Sequence, residues 1–323
     1  MSLPWLRSLK ERINSAIDEQ RLGHAPLVTG PEGVGKHTLT DWLIRRVLCL
    51  QPEQGRACGQ CRSCQLLDSG SHPDFFRVGI PEEKKEIPVD AIRSLSDSLH
   101  LMPKIGTQRA GMIDVAEAMN INAANALLKT LEEPANNAWV ILLSHQPGRL
   151  PATIRSRCQM IAVPPPVRAE ALEWLAGECP QHEQEKLVQA LSLSAEAPLA
   201  ARELLQGEGL EFGMEILDGL LAIARGKPVT SQINERWWQA PAQTWRWLAS
   251  WTSVMMRHAR GLDSEQLPIL REWPPALEHR ALARLWQQAL SGRALAASSV
   301  RQDLLLTKWL LEWEAMNQRG NPI

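Results

Sequence analysis

Between Pro26 and Val163 the chain alternates two patterns: short runs of aliphatic and β-branched residues, and longer stretches in which apolar side chains return every third or fourth position. The first pattern predicts buried strands and the second amphipathic helices. Strands are expected at PLVTG (26–30), DFFRVGI (74–80), AGMIDV (110–115), AWVILLS (138–144) and QMIAV (159–163). NINAANALLKTLEE gives the clearest helix, with Ile121, Ala124, Leu128 and Leu131 at helical steps and Pro134 closing it. Strand and helix in regular alternation predict an α/β domain on a parallel sheet.

The pattern breaks at VPPPVRAEALEWL, where three prolines cannot continue a strand ladder and a charged amphipathic helix follows. Beyond it no strand pattern returns. The expected organisation is an α/β domain over 1–166, a small helical domain over 167–208 and a second all-α domain over 209–323. In the last, helices are expected near 211–225, 241–261, 276–291 and 298–317, and GKPVTSQINERWW (226–238) reads as a loop.

Composition narrows the class. Of 323 residues, 44% are hydrophobic and 22% charged, which suits a globular protein and excludes a disordered one. The longest apolar runs are too short to span a bilayer. The opening MSLPWLRSLKERI has neither the apolar stretch nor the cleavage site of a signal peptide, so the expected location is the cytoplasm. A formal net charge of -1 supplies no global positive field, and any contact with nucleic acid is expected to be local or shared with partners. Thirteen tryptophans stand beside no tyrosine, and nine of them lie from Trp237 onward. Trp237, Trp238, Trp245, Trp247, Trp251, Trp309 and Trp313 fall among Leu and Ala with helical spacings, which predicts a core or a subunit interface rather than platforms for stacking bases.

The strand PLVTG runs into GPEGVGKHTL. In a phosphate-binding loop of the form GxxxxGK followed by Ser or Thr, glycines let backbone N–H groups face the phosphates at a helix N-terminus. The lysine reaches the outer phosphates and the hydroxyl ligates Mg²⁺. Gly30, Gly33, Gly35 and Lys36 fit this use, but His37 stands at the hydroxyl position, and imidazole is a poor ligand for a hard, oxygen-seeking ion. Thr38 carries a hydroxyl about 100° further round the helix. Asp114 ends a later apolar strand, where ATP-hydrolysing enzymes keep a carboxylate for the magnesium shell. Val115 follows it in the place of a catalytic glutamate, and Glu117 comes two residues later. The expectation is a degenerate nucleotide site, with ATP and Mg²⁺ occupancy left open.

Cys49, Cys58, Cys61 and Cys64 form a Cx8Cx2Cx2C cluster. The two CxxC steps put thiolates on one knuckle, and four sulfurs predict tetrahedral Zn²⁺ in a structural role, with no open position for catalysis. Cys158 and Cys179 are expected to be ordinary thiols.

A P-loop, a four-cysteine module just after its helix, NALLKTLEEP (125–134) and IRSRC (154–158), in this order, resemble the bacterial DNA polymerase III clamp-loader subunits of the AAA+ family. SHPDFF (71–76) and IPVDAIRSL (87–95) match linking segments, and the resemblance runs from about residue 20 to 208, weakening over the helical remainder. It implies an AAA+ P-loop domain with an inserted zinc module near 49–64, a helical lid, and an all-α collar through which subunits form a ring. The partners it implies are gamma/tau and delta subunits in a hetero-pentameric ring and, through that complex, the sliding clamp and primed DNA. One branch of the family is an ATP-hydrolysing motor and another a rigid non-motor subunit. His37, Val115, Ser144 and His145 (where the motor has a threonine pair), and Leu199 near the place of its lid arginine, point to the non-motor branch, with Arg202 one turn further on. Arg157 of the SRC motif is kept, and the resemblance implies an arginine finger acting in trans at a neighbour's ATP site. Two other readings stay open: a motor that uses Thr38 and Glu117, and a zinc-bearing nucleic-acid module.

Overall fold

The structure, a computed structural model, describes residues 3–82, 84–231, 235–261, 278–296, 298 and 300–319. The chain divides into two compact units, residues 1–170 and 171–323.

A 3₁₀ turn at Pro4–Leu6 opens the first unit. It is followed by α1 (Arg7–Asp18), β1 (Pro26–Thr29), α2 (Lys36–Leu48), α3 (Arg62–Asp68), β2 (Phe75–Val78), α4 (Val89–His100), β3 (Arg109–Ile113), α5 (Ile121–Glu132), β4 (Ala138–Ser144), α6 (Ala152–Arg155) and β5 (Gln159–Ala162). The five strands pair in parallel in the order β2-β3-β4-β1-β5, each within two residues of its expected ends. The inner strands β1, β3 and β4 are buried almost throughout, which is why they read as continuous apolar runs; β2 and β5 at the edges are partly exposed.

The buried face of α5 differs from the expected one. Asn120 caps this helix by accepting from the Ala123 N–H at 2.9 Å, and the buried residues are Ala123, Ala124, Leu127, Thr130 and Leu131. Ile121 is 77% exposed. Two apolar stripes overlap on this helix, and the one that packs contains the small alanines, which let the backbone come close to its neighbours.

The SHPDFF segment is an internal anchor. Asp74 and Arg109 form a buried ion pair at 3.2 Å. Asp74 also accepts from the N–H groups of Lys104 and Ile105 at 2.9 and 2.7 Å, while Arg109 donates to the carbonyls of Met102 and Ser98. Burial of two charges is tolerated because each is paired and hydrogen-bonded. The link between α4 and β3 is thereby fixed.

The second unit is helical, with no strand among the described residues: α7 (Arg168–Glu178), α8 (Gln184–Leu193), α9 (Pro198–Gln206), α10 (Gly209–Ala224), α11 (Glu235–Gln239), α12 (Pro241–His258), α13 (His279–Leu295) and α14 (Gln302–Arg319). One apolar cluster joins α7, α8 and α9. A larger one gathers Trp237, Trp245, Trp247, Trp251, Trp309 and Trp313. These six are buried, and three of the indoles donate inward, Trp251 to the Gly213 carbonyl, Trp309 to that of Leu285 and Trp313 to that of Leu220. They form the core, and stacking of bases on them is ruled out. The expected loop at 226–238 is corrected by α11, a five-residue helix pinned by the buried Trp237, whose indole donates to Glu215 at 3.1 Å. Residues 232–234 of that segment, and 276–277 of the helix expected at 276–291, lie outside the described residues. Among the described residues no helix is long and apolar enough to cross a membrane.

Candidate functional site

In an open parallel sheet, ligands bind beyond the C-terminal strand ends, where the strand order reverses. Here that place is the end of β1, between β4 and β5, and the loop that follows is GPEGVG. Gly30 has φ +147°, and a Cβ there would lie 2.2 Å from the Val163 carbonyl oxygen, so only glycine fits. Gly33 and Gly35 also have positive φ, and Gly35 caps α2. The start of the chain braces the loop from outside: the Trp5 indole donates to the Val34 carbonyl at 2.9 Å, and Leu3 and Leu6 are buried beside Gly35. Lys36 opens α2, is 2% exposed, and donates to the Pro31 carbonyl at 2.5 Å. Burial pulls its pKa down to about 8, opposed by the nearby carboxylates of Glu32, Glu117 and Asp114. Thr38 lies in the first turn of α2, half-buried.

The lysine is where the motif predicts, but the acidic side of the site is already engaged. Asp114 follows β3; its Oδ2 accepts from Arg77 at 2.9 Å, and its Oδ1 lies 3.6 Å from His37 Nε2. Arg77 comes from β2, where the parallel register sets it opposite Met112 of β3. Sequence reasoning missed Arg77; its signal was one arginine inside the apolar run DFFRVGI. Val115 takes φ +52° and ψ 58°, a left-handed conformation rare for a β-branched residue that costs about 1–3 kcal/mol.

The turn that starts at Val115 brings Glu117 round to the loop after β4. There its Oε1 accepts from the N–H groups of His145 and Gln146 at 2.8 and 2.9 Å. The two-residue offset of Glu117 therefore does not keep it from the site, where backbone holds Oε1 and Oε2 is buried without a hydrogen-bond partner among the described residues. Ser144 is buried at the end of β4. Burial, and then the Lys36 ammonium, hold the His145 imidazole below its ordinary pKa.

The four clustered cysteines come together. Cys49 caps the end of α2, Cys61 the start of α3, and Cys64 lies within α3. Cys49 Sγ is 3.6, 3.9 and 3.7 Å from the sulfurs of Cys58, Cys61 and Cys64, and all four lie within 4.8 Å of one another. Thiolates held tetrahedrally around one ion at ~2.3 Å have edges of about 3.8 Å, so the set fits a metal ion. The Cys58 and Cys61 N–H groups point at the sulfurs of Cys49 and Cys58. Burial opposes ionisation of Cys61, yet the Cys64 and Leu50 N–H groups and the neighbouring thiols bring it down to about 6. Burial pushes Cys64 up to about 12 and also raises Cys49. Four thiolates thus need a cation to be stable together. Ser63 ties the cluster to the domain, with its hydroxyl 2.7 Å from the Leu48 carbonyl and 2.9 Å from His72 Nε2. Cys158, half-buried with its pKa raised to about 11 by burial, and the buried Cys179 are not part of the cluster.

Arg157 lies between α6 and β5 with its side chain 36% exposed. It pairs with Glu132 at the end of α5 at 2.6 Å and donates to the Thr153 carbonyl at 3.0 Å. The pair joins the LLKTLEEP and IRSRC segments. Arg202 of α9 pairs with Glu178 at 3.4 Å and lies over the Trp174 ring, while Leu199 sits in the first turn of that helix.

A gamma subunit-related DNA polymerase III protein of Thermotoga maritima has a similar fold, with a TM-score of 0.51 at 15% identity, covering 95% of this chain and 99% of its own. Sheet order, a glycine loop at the switch point and an acid at the end of β3 define a P-loop protein of the AAA+ class. Residues 5–167 match the sequence family described as "DNA polymerase III, delta subunit". The DNA polymerase III subunit delta' of Pseudomonas aeruginosa is 34% identical over 98% of both chains, and that of Escherichia coli 32% identical over 98% of this chain and 96% of its own. The chain belongs to the DNA polymerase III delta' family.

Proposed function

We propose that this chain is the non-motor, delta'-type subunit of a DNA polymerase III clamp loader and helps to load the sliding clamp onto primed DNA. In this reading residues 1–166 are the AAA+ domain and 167–208 the lid. Residues 209–323 are the collar that joins gamma/tau and delta subunits in a hetero-pentameric ring in the cytoplasm. Zn²⁺ is held by Cys49, Cys58, Cys61 and Cys64, and four thiolates leave it no open position, so its role is structural.

The carrying observation is the Arg77–Asp114 pair. A motor needs this carboxylate to order the magnesium shell. Here a guanidinium 2.9 Å away engages it and His37 flanks it. An incoming triphosphate would also meet the carboxylates gathered around Lys36. The chain therefore hydrolyses little or no ATP, and a motor that relies on Thr38 and Glu117 is disfavoured because two backbone N–H groups pin Glu117 Oε1 to the loop after β4, although Oε2 has no hydrogen-bond partner among the described residues. Arg157, partly exposed and steadied by Glu132, is the group lent to a neighbour's site.

The purified chain is expected to show no clamp-stimulated ATPase. In the reconstituted complex, Arg157→Ala is expected to lower ATP turnover about tenfold or more with assembly unchanged. Rapid Mg·ATP hydrolysis by the isolated chain overturns the non-motor reading, and undiminished turnover with Arg157→Ala overturns the role in trans.

A further inference from the structure

On the first unit, apart from the P-loop phosphate cradle, a cleft of about 710 Å³ opens between α1, α2 and the chain segment that links Cys49 to Cys58. Four cations, Arg7, Lys10, Arg45 and Arg56, line it against one carboxylate, Glu11, with Trp42 in its wall. Arg45 is paired with Asp68 at 2.7 Å. Among the described residues Arg7, Lys10 and Arg56 enter no ion pair. The Lys10 ammonium lies 5.8 Å from the centre of the Trp42 ring, and burial followed by the charge of Arg56 pulls its pKa down. Like charges brought together in a half-enclosed space that holds a single carboxylate define a place for an anion.

Arg56 is set there by a built turn. Glu53 and Arg56 exchange both backbone hydrogen bonds, at 2.9 and 2.8 Å, around Gln54 (φ +45°) and Gly55 (φ +74°). Two left-handed residues between paired ends make a type I′ turn, which favours glycine at the second. A Cβ on Gly55 would strike the Asn14 side chain at 1.4 Å, so the turn seats directly on α1. Its two ends lead to Cys49 and Cys58, and the thiol cluster therefore fixes where Arg56 points.

We propose that this cleft binds the phosphate backbone of single-stranded nucleic acid, with Arg7, Lys10 and Arg56 on phosphates and Trp42 with the Leu3–Pro4 wall against sugar and base. Guanidinium forks on opposite walls match phosphate oxygens, and a lysine between them acts as a point charge. A cationic groove with an aromatic side chain in its wall is the general arrangement for sequence-tolerant strand binding, whereas an acidic peptide gives the indole no flat partner. The overall charge of -1 does not oppose this, because the field is local.

The test uses the full, metal-bound chain and a short fluorescein-labelled oligothymidylate, read by anisotropy at low salt. Three phosphate contacts predict a slope of log K against log salt of about -2. Arg56→Ala and Lys10→Ala are each expected to weaken binding about three- to tenfold and to flatten that slope by about 0.7. Glu11→Gln is expected to tighten binding, which no misfolded variant can imitate. Chelation of the metal is expected to weaken binding at least as far as Arg56→Ala does. No binding at low salt overturns the proposal, as does a folded Arg7→Ala/Lys10→Ala/Arg56→Ala chain that binds like the unaltered one. Displacement of the probe by polyglutamate as readily as by unlabelled oligothymidylate assigns the cleft to acidic protein segments and also overturns it.

Discussion

A lysine ammonium 2% exposed costs stability unless an anion answers it, and in a working P-loop the triphosphate does so. Lys36 has only a carbonyl and the outlying carboxylates, and its pKa is about 8 against an ordinary 10.5. A cation whose pKa falls on folding is destabilising below the folded value, and the penalty disappears as pH rises to the unfolded one. Lys36→Met is therefore expected to raise stability near pH 7 by about 1–3 kcal/mol, with the gain fading between pH 8 and about 10.5. Urea unfolding at several pH values measures this; a variant less stable than the parent at pH 7 would show that the Pro31 contact outweighs the charge. His37 was legible as a lost ligand from its place in the motif. Its new neighbour Asp114 was not, because spacing along one loop carries no information about a residue 77 positions away.

At the scale of elements, SHPDFF shows how a recognisable segment acts through packing. Asp74 is fully buried and holds Arg109 together with the 104–105 backbone. Asp74→Ala leaves an unpaired buried guanidinium and is expected to cost about 3–5 kcal/mol, while Asp74→Leu with Arg109→Met recovers most of that loss. Thermal unfolding of the three chains decides it; a double variant no better than the single one would place the cost in the lost backbone hydrogen bonds. The strands were legible because a parallel sheet covered on both faces demands uninterrupted apolar runs, and AWVILLS can be little else. The α5 face was not, because Ile121, Leu128 and the buried Ala123 and Leu127 offer two stripes, and only tertiary packing chooses between them. In the same way α11 was hidden: ERWWQ is short by local propensity and exists because Trp237 is buried. At the site, the four cysteines were legible because four thiols that can share one ion are closely spaced along the chain. Arg77 and the capping by Glu117 depend on strand register and a turn, which spacing does not reveal.

For the whole molecule, the separate cores of the two units would make loss of a metal from the cysteine cluster a local event. The cysteine cluster belongs to residues 1–170 and adjoins the buried Leu43, Ile44 and Leu48 of α2, while the apolar cluster on the sheet, α4 and α5 contains none of the four thiols. Ten of the thirteen tryptophans lie in residues 171–323, so indole emission reports mainly on the other unit. Removing a bound metal would take away the cation that lets four thiolates coexist, leaving Cys49 to Cys64 with the Ser63 anchor, the short α3 and the Glu53–Arg56 turn on α1. The expected outcome of chelation is that amides of 50–68 lose protection from hydrogen exchange while those of β1, β3 and β4 keep theirs, and four thiols become reactive. Thermal unfolding followed by tryptophan emission is expected to keep its midpoint. A midpoint that falls together with the exchange protection of the sheet would mean that the metal supports the entire chain, and that the module is part of the global folding unit.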